Sequence, residues 1–64
     1  MANMVRIEIQ SQQGQWHFFC RVANNPVSIK NGLERGLKSQ LARVSKKARA
    51  LDDKTGQLID MAHG

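Results

Sequence analysis

The hydrophobic residues of this chain change their spacing once, and that change constrains the fold more than any other feature. Val5, Ile7 and Ile9 alternate with Arg6, Glu8 and Gln10, the period of two that buries one face of a β-strand. Trp16, Phe18, Cys20 and Val22 repeat the pattern, alternating with His17, Phe19 and Arg21. Between the two runs, Ser11-Gln12-Gln13-Gly14-Gln15 is polar and holds a glycine, so a tight turn and a hairpin are expected. From Ile29 the spacing becomes four and three, through Leu33, Leu37, Leu41 and Val44, which is one stripe along an amphipathic helix.

Ala23-Asn24-Asn25-Pro26 separates the two regimes. Proline has no ladder N–H and asparagine tolerates turn conformations, so the second strand stops here. Asn25 followed by Pro26 at the first helical position, or Ser28, is expected to cap the helix. Gly32 and Gly36 sit four apart within it. Each costs up to about 1 kcal/mol of helix propensity relative to alanine, but together they would let the helix approach a sheet closely.

The segment from Leu41 to Gln57 allows two conformations. The apolar stripe continues in helical register through Ala48 and Leu51, which favours one long basic helix. Against it, Asp52-Asp53-Lys54-Thr55-Gly56 has the residues of a hairpin loop, with Asp to open the turn and Gly for its positive-φ position. The hairpin is adopted, giving strands at residues 4–10, 16–22, 47–51 and 57–62 and a helix at 26–45. The expected fold is α+β: a single domain of order β-β-α-β-β, with four antiparallel strands and the helix packed on one face. The expected core is Val5, Ile7, Ile9, Trp16, Phe18, Cys20, Val22, Ile29, Leu33, Leu37, Leu41, Val44, Ile59 and Met61.

At 64 residues the chain is near the size where one core only just outweighs conformational entropy. Its single cysteine, Cys20, cannot form an internal disulfide. No apolar run approaches the roughly 18 residues of a membrane span, and MANMVRIEIQ lacks the regions of a signal peptide. A cytoplasmic location without membrane partners is the expectation.

Several apparent motifs dissolve on inspection. Gly32-Leu33-Glu34-Arg35-Gly36-Leu37-Lys38-Ser39 resembles a phosphate-binding loop, but its spacing is wrong and its glycines fall inside the helical pattern. His17, Cys20 and His63 do not supply the four converging ligands of a structural zinc site, and alternation puts His17 and Cys20 on opposite faces. Asp52 and Asp53 lie in a turn, and Glu8 and Glu34 read as surface charges. No nucleophile and base are placed in a concave site. Neither enzyme activity nor a cofactor nor a metal is expected.

The formal charge of +5 carries the strongest functional signal. Lys38, Arg43, Lys46, Lys47 and Arg49 follow one another with no acidic residue between them, and Arg35 precedes them on the helix. Such clustering suits the DNA or RNA backbone, where each phosphate contact releases counterions, or an acidic protein. Alternatively, His17, Phe19 and Arg21 would occupy the strand face left without a helix. That face, or an unpaired edge strand, would serve a protein partner or a homodimer. The expected protein is therefore a small basic binding module.

Overall fold

The computed structural model describes residues 4–38 and 47–63. Its elements are β1 (Met4–Gln10), β2 (Trp16–Ala23), α1 (Pro26–Lys38), β3 (Lys47–Asp52) and β4 (Leu58–His63). The strands form one antiparallel sheet in the order β2-β1-β3-β4, with α1 across one face. The α+β arrangement is the one the change of hydrophobic period predicts. The expected helical continuation over residues 39–45, with Leu41 and Val44, lies outside the described residues.

Each boundary has a local cause. The Asn25 side-chain oxygen accepts from Ser28 N–H at 2.8 Å, so Asn25 rather than Ser28 caps α1. Pro26 follows at the first position, where its missing N–H costs nothing. At the second hairpin, Asp52 Oδ1 accepts from Lys54 N–H at 2.8 Å and from Thr55 N–H at 3.0 Å. Gly56 donates its N–H to the Asp52 carbonyl at 2.7 Å and adopts φ 77°. The long-rod alternative fails here because Asp52 satisfies the turn's own N–H groups and the apolar residues of 48–51 find partners across the sheet.

Val5, Ile7 and Ile9 from β1, Ile29 and Leu33 from α1, and Ala48 and Ala50 from β3 make the buried cluster. Gly32 and Gly36 are also buried, and they let the helix lie directly on the sheet. A β-carbon on Gly32 would meet Ile7 Cγ1 at 2.9 Å, and one on Gly36 would meet Ile9 Cγ2 at 2.8 Å. Both glycines are helical and pressed to a sheet, so neither belongs to a phosphate loop.

The core differs from its sequence-based expectation in β2 and β4. Ile7 pairs with Cys20 but Glu8 pairs with Phe18, so Phe19 is an extra residue in a β-bulge. A bulge reverses the inward and outward sense of every residue beyond it. Cys20 and Val22 keep their place against the core, Phe19 joins them, and Phe18 turns outward to 52% exposure. In β4 the register also shifts, between the pairs Ala50–Asp60 and Leu51–Leu58. Ile59 and Met61, expected in the core, are 42% and 41% exposed. β4 is an edge strand, and α1 packs mainly over β1, β2 and β3.

Candidate binding face

The sheet surface opposite α1 has no element packed on it among the described residues. Strand pairing arranges its side chains in rows. One row runs Phe18, Glu8, Arg49, Met61 from edge to edge, and the next runs Arg21, Arg6, Leu51, Leu58. Trp16 and Gln10 pair beyond the first row, and Met4 and Ala23 beyond the second. Lys47 and His63 occupy the same face at the end of β3 and β4. Arg6, Glu8 and Arg49 thus sit on the two central strands, with Phe18, Trp16 and Arg21 on the β2 edge and Met61 and Leu58 on the β4 edge.

Glu8 organises the centre. One of its oxygens accepts from Arg49, at 2.7 Å to Nη2 and 2.8 Å to Nε. Its other oxygen lies 3.4 Å from Arg6 Nε. That second contact lacks hydrogen-bond geometry, and Arg6 Nε has no hydrogen-bond partner among the described residues, so the contact is purely Coulombic. One carboxylate against two guanidinium groups leaves the centre of the face positive. Leu51 is buried on the same face, at 6% exposure, between its cross-strand neighbours Arg6 and Leu58.

The aromatic residues are paired with arginines. The Arg49 guanidinium stacks over the Trp16 ring at 4.2 Å from its centroid, and that of Arg21 over Phe18 at 5.0 Å. These are cation–π distances, and they hold each ring beside a fixed positive charge. Arg21 Nε also donates to Asp53 at 3.1 Å. On this exposed surface the ion pair contributes about 0–1 kcal/mol. Arg6, Arg21, Lys47 and Arg49 together outnumber the face's two carboxylates, Glu8 and Asp53.

The residues singled out from the sequence are redistributed. Of His17, Phe19 and Arg21, Arg21 alone stands on the uncovered face. Phe19 packs against the core, and His17 pairs with Ile9 on the helix side of the sheet. Among the basic residues, Arg35 and Lys38 are exposed on α1, whereas Lys47 and Arg49 lie on β3 with Arg49 on the opposite side of the sheet. Arg43 and Lys46 lie outside the described residues. The described members of the basic block therefore do not form a single patch, and Arg49 is already committed to Glu8 and Trp16.

Alternation placed Arg6 and Glu8 away from the core without marking them as part of a site, and it assigned Trp16 and Phe18 to the core rather than to this face. The signal for Phe18 was present: two adjacent aromatics, Phe18-Phe19, cannot both follow a strict period of two. The thiol of Cys20 sits beneath the other surface of β2. Burial pushes its pKa up, with Arg35 pulling weakly the other way, so it is not an activated nucleophile. Among the described residues no group of three His, Cys, Asp or Glu side chains is placed to hold a metal ion. No described helix is long and apolar enough to cross a membrane. Compared with protein-family models, characterised proteins and solved structures, the chain matches none of them.

Proposed function

We propose that this chain is a small non-catalytic module that binds single-stranded nucleic acid across the uncovered face of its sheet. The observation that carries this reading is the pairing of Trp16 with Arg49 and of Phe18 with Arg21 on one open, cation-rich surface. Unpaired bases have flat faces that stack on such rings, at about 1–3 kcal/mol per base. The neighbouring guanidinium and ammonium groups suit the phosphates between them. A duplex suits the face less well, because reading a groove calls for a helix or ribbon that projects into it, and the only described helix lies behind the sheet. The formal charge of +5 supports anionic partners in general.

A protein partner is favoured by a different observation, the exposure of Met4, Leu58 and Met61 on the same face. The two readings predict opposite responses to salt. Trp16 is the sole tryptophan and the chain has no tyrosine, so its emission reports directly on this surface. Titration with oligothymidylate should quench Trp16 saturably, with log K falling by about 0.7 per phosphate contacted for each decade of salt. Phe18→Ala should weaken binding about tenfold while leaving the fold intact. Unchanged emission and anisotropy at low salt would reject the nucleic-acid reading. Capture of an apolar protein segment by a salt-tolerant contact involving Met61 and Leu58 would favour the other.

A further inference from the structure

Phe18 is the more open of the two aromatic rings. It is exposed, and the Arg21 guanidinium stands 5.0 Å from its centroid. Over Trp16, which is only part-exposed, the Arg49 guanidinium sits closer, at 4.2 Å. A flat base stacked on the uncovered part of the Phe18 ring therefore lies beside the Arg21 guanidinium, with one edge turned to it. The groups around the ring decide which base edges suit the place.

Those groups are mostly donors. Arg21 follows Phe18 along β2 beyond the bulge, Trp16 lies two residues away on the same face, and Arg6 is the diagonal neighbour on β1. Guanidinium and indole N–H groups donate and cannot accept. Glu8 is the acceptor directly across from Phe18, but arginines hold both its oxygens. One accepts from Arg49 at 2.7 and 2.8 Å, and the other lies 3.4 Å from Arg6 Nε. With only 13% of its side chain exposed, Glu8 offers little surface to a ligand. Gln10, the other diagonal neighbour, is tied to the first hairpin turn, its Nε2 donating to the Gly14 carbonyl at 3.0 Å. Arg21 is different: its side chain is 54% exposed. Its Nε donates to Asp53 at 3.1 Å, and its two Nη groups make no hydrogen bond among the described residues. Stacking on Phe18 and the Asp53 bond hold this fork in position before any ligand arrives.

We infer that the face prefers the keto bases uracil, thymine and guanine to the amino bases cytosine and adenine, and that Arg21 reads the difference. The inference rests on the nucleic-acid reading above. Uracil and thymine present O4 as an acceptor, and guanine presents O6 beside N7, the pair that a guanidinium fork binds bidentately. Cytosine and adenine carry an amino group at the corresponding position. There a donor meets a donor, next to a carboxylate that is already engaged. Both amino bases keep ring acceptors elsewhere, so the discrimination is about tenfold rather than absolute.

Oligodeoxyuridylate and oligodeoxycytidylate of equal length test it, because they share a backbone and a ring size and differ at the base edge. Trp16 emission reads both titrations, at mildly alkaline pH where cytosine carries no proton. The uridylate should bind about tenfold more tightly, with the same dependence on salt because the phosphates are the same. Arg21→Lys keeps the charge and loses the fork, so the salt dependence should persist while the affinity ratio falls towards one. Arg35→Lys, on the helix side of the sheet, should leave the ratio intact. Equal affinities, or tighter binding of the cytidylate, overturn the inference while the nucleic-acid reading stands. If neither oligonucleotide binds, the reading itself fails and takes the inference with it. A ratio unaltered in Arg21→Lys, with a native circular dichroism spectrum, overturns the assignment to Arg21.

Discussion

Placing a methyl group on Gly36 or Gly32 tests how closely α1 is pressed onto the sheet. The added carbon at position 36 would lie 2.8 Å from Ile9 Cγ2, and that at position 32 would lie 2.9 Å from Ile7 Cγ1 and 3.1 Å from Val22 Cγ1. Carbon atoms settle at about 3.5–4.0 Å, so the shortfall is large. Ile7 and Ile9 are 0% and 2% exposed and cannot swing into solvent. Overpacking of this kind costs about 1–3 kcal/mol, while replacing glycine by alanine in a helix returns about 1 kcal/mol. The net expectation for either variant is a loss of about 0–2 kcal/mol, and each 1 kcal/mol lost should lower Tm by about 4–8 °C in a chain of this size.

Asn31→Ala provides the reference. Asn31 is exposed on the same helix, so this change should yield only the propensity gain, up to about 0.7 kcal/mol. Thermal and urea unfolding of the three variants would be compared. If Gly36→Ala or Gly32→Ala stabilises the protein as much as Asn31→Ala does, the helix is not pressed onto the sheet, and the packing described above is wrong. The double glycine variant should lose less than the sum of the single losses. A helix already lifted by one methyl group accommodates the second more easily, which makes neighbouring sites non-additive.

Phe19→Ala should cost about 2–4 kcal/mol as a partly buried core contact and Phe18→Ala less than about 1 kcal/mol; the reverse order in chemical unfolding would remove the β2 bulge. Gly56→Ala should destabilise by about 1–2 kcal/mol although open space surrounds the site, because φ 77° is costly for an L-residue. An unchanged urea midpoint would show that the turn does not need that conformation. Asp52 is held below its usual pKa of 3.8 by the N–H groups of Thr55 and Lys54, so its stabilising contribution is present above that value. The contribution is lost as pH falls through the lowered pKa, and Asp52→Asn should flatten the acid limb of a Tm-against-pH curve. Glu8→Gln should destabilise by about 1–2 kcal/mol, a partly exposed ion pair being worth less than a buried one, yet tighten oligothymidylate binding by leaving both arginines unneutralised. A weaker complex in the fluorescence titration would contradict the role given to the central charges.

By itself the sequence determined the order of elements and most of the ground plan. Periodicities of two and of four-and-three are local consequences of strand and helix geometry. Asn25-Pro26 and Asp52 to Gly56 act on their own backbone, so the helix start and the second hairpin were legible without any long-range information. The burial of Val5, Ile7, Ile9, Ile29 and Leu33 followed from the same patterns. The choice of hairpin over continuous helix at residues 47–52 was narrower, since Ala48 and Leu51, three apart, continue the helical stripe and fall on opposite faces of a strand. It was the strand pairing of β3 between β1 and β4 that gave those residues partners.

What only the tertiary structure decided was the facing of side chains wherever the register slips. One extra residue at Phe19 exchanged the roles of Phe18 and Phe19, brought Trp16 beside Arg49, and turned an expected core strand into half of an aromatic edge. In the same way, the basic block is continuous along the chain but divided in space, because a sheet lies between Arg35 and Arg49. Sequence neighbours share a surface only while they share an element. Met61 is exposed because strand pairing with Arg49 puts it on the face away from α1, whereas the exposure of Ile59 has a related cause: how far a helix reaches across a sheet depends on where its closest contact lies, and Gly32 and Gly36 fix that contact over β1. β4 is consequently left with an apolar edge and a groove beside it.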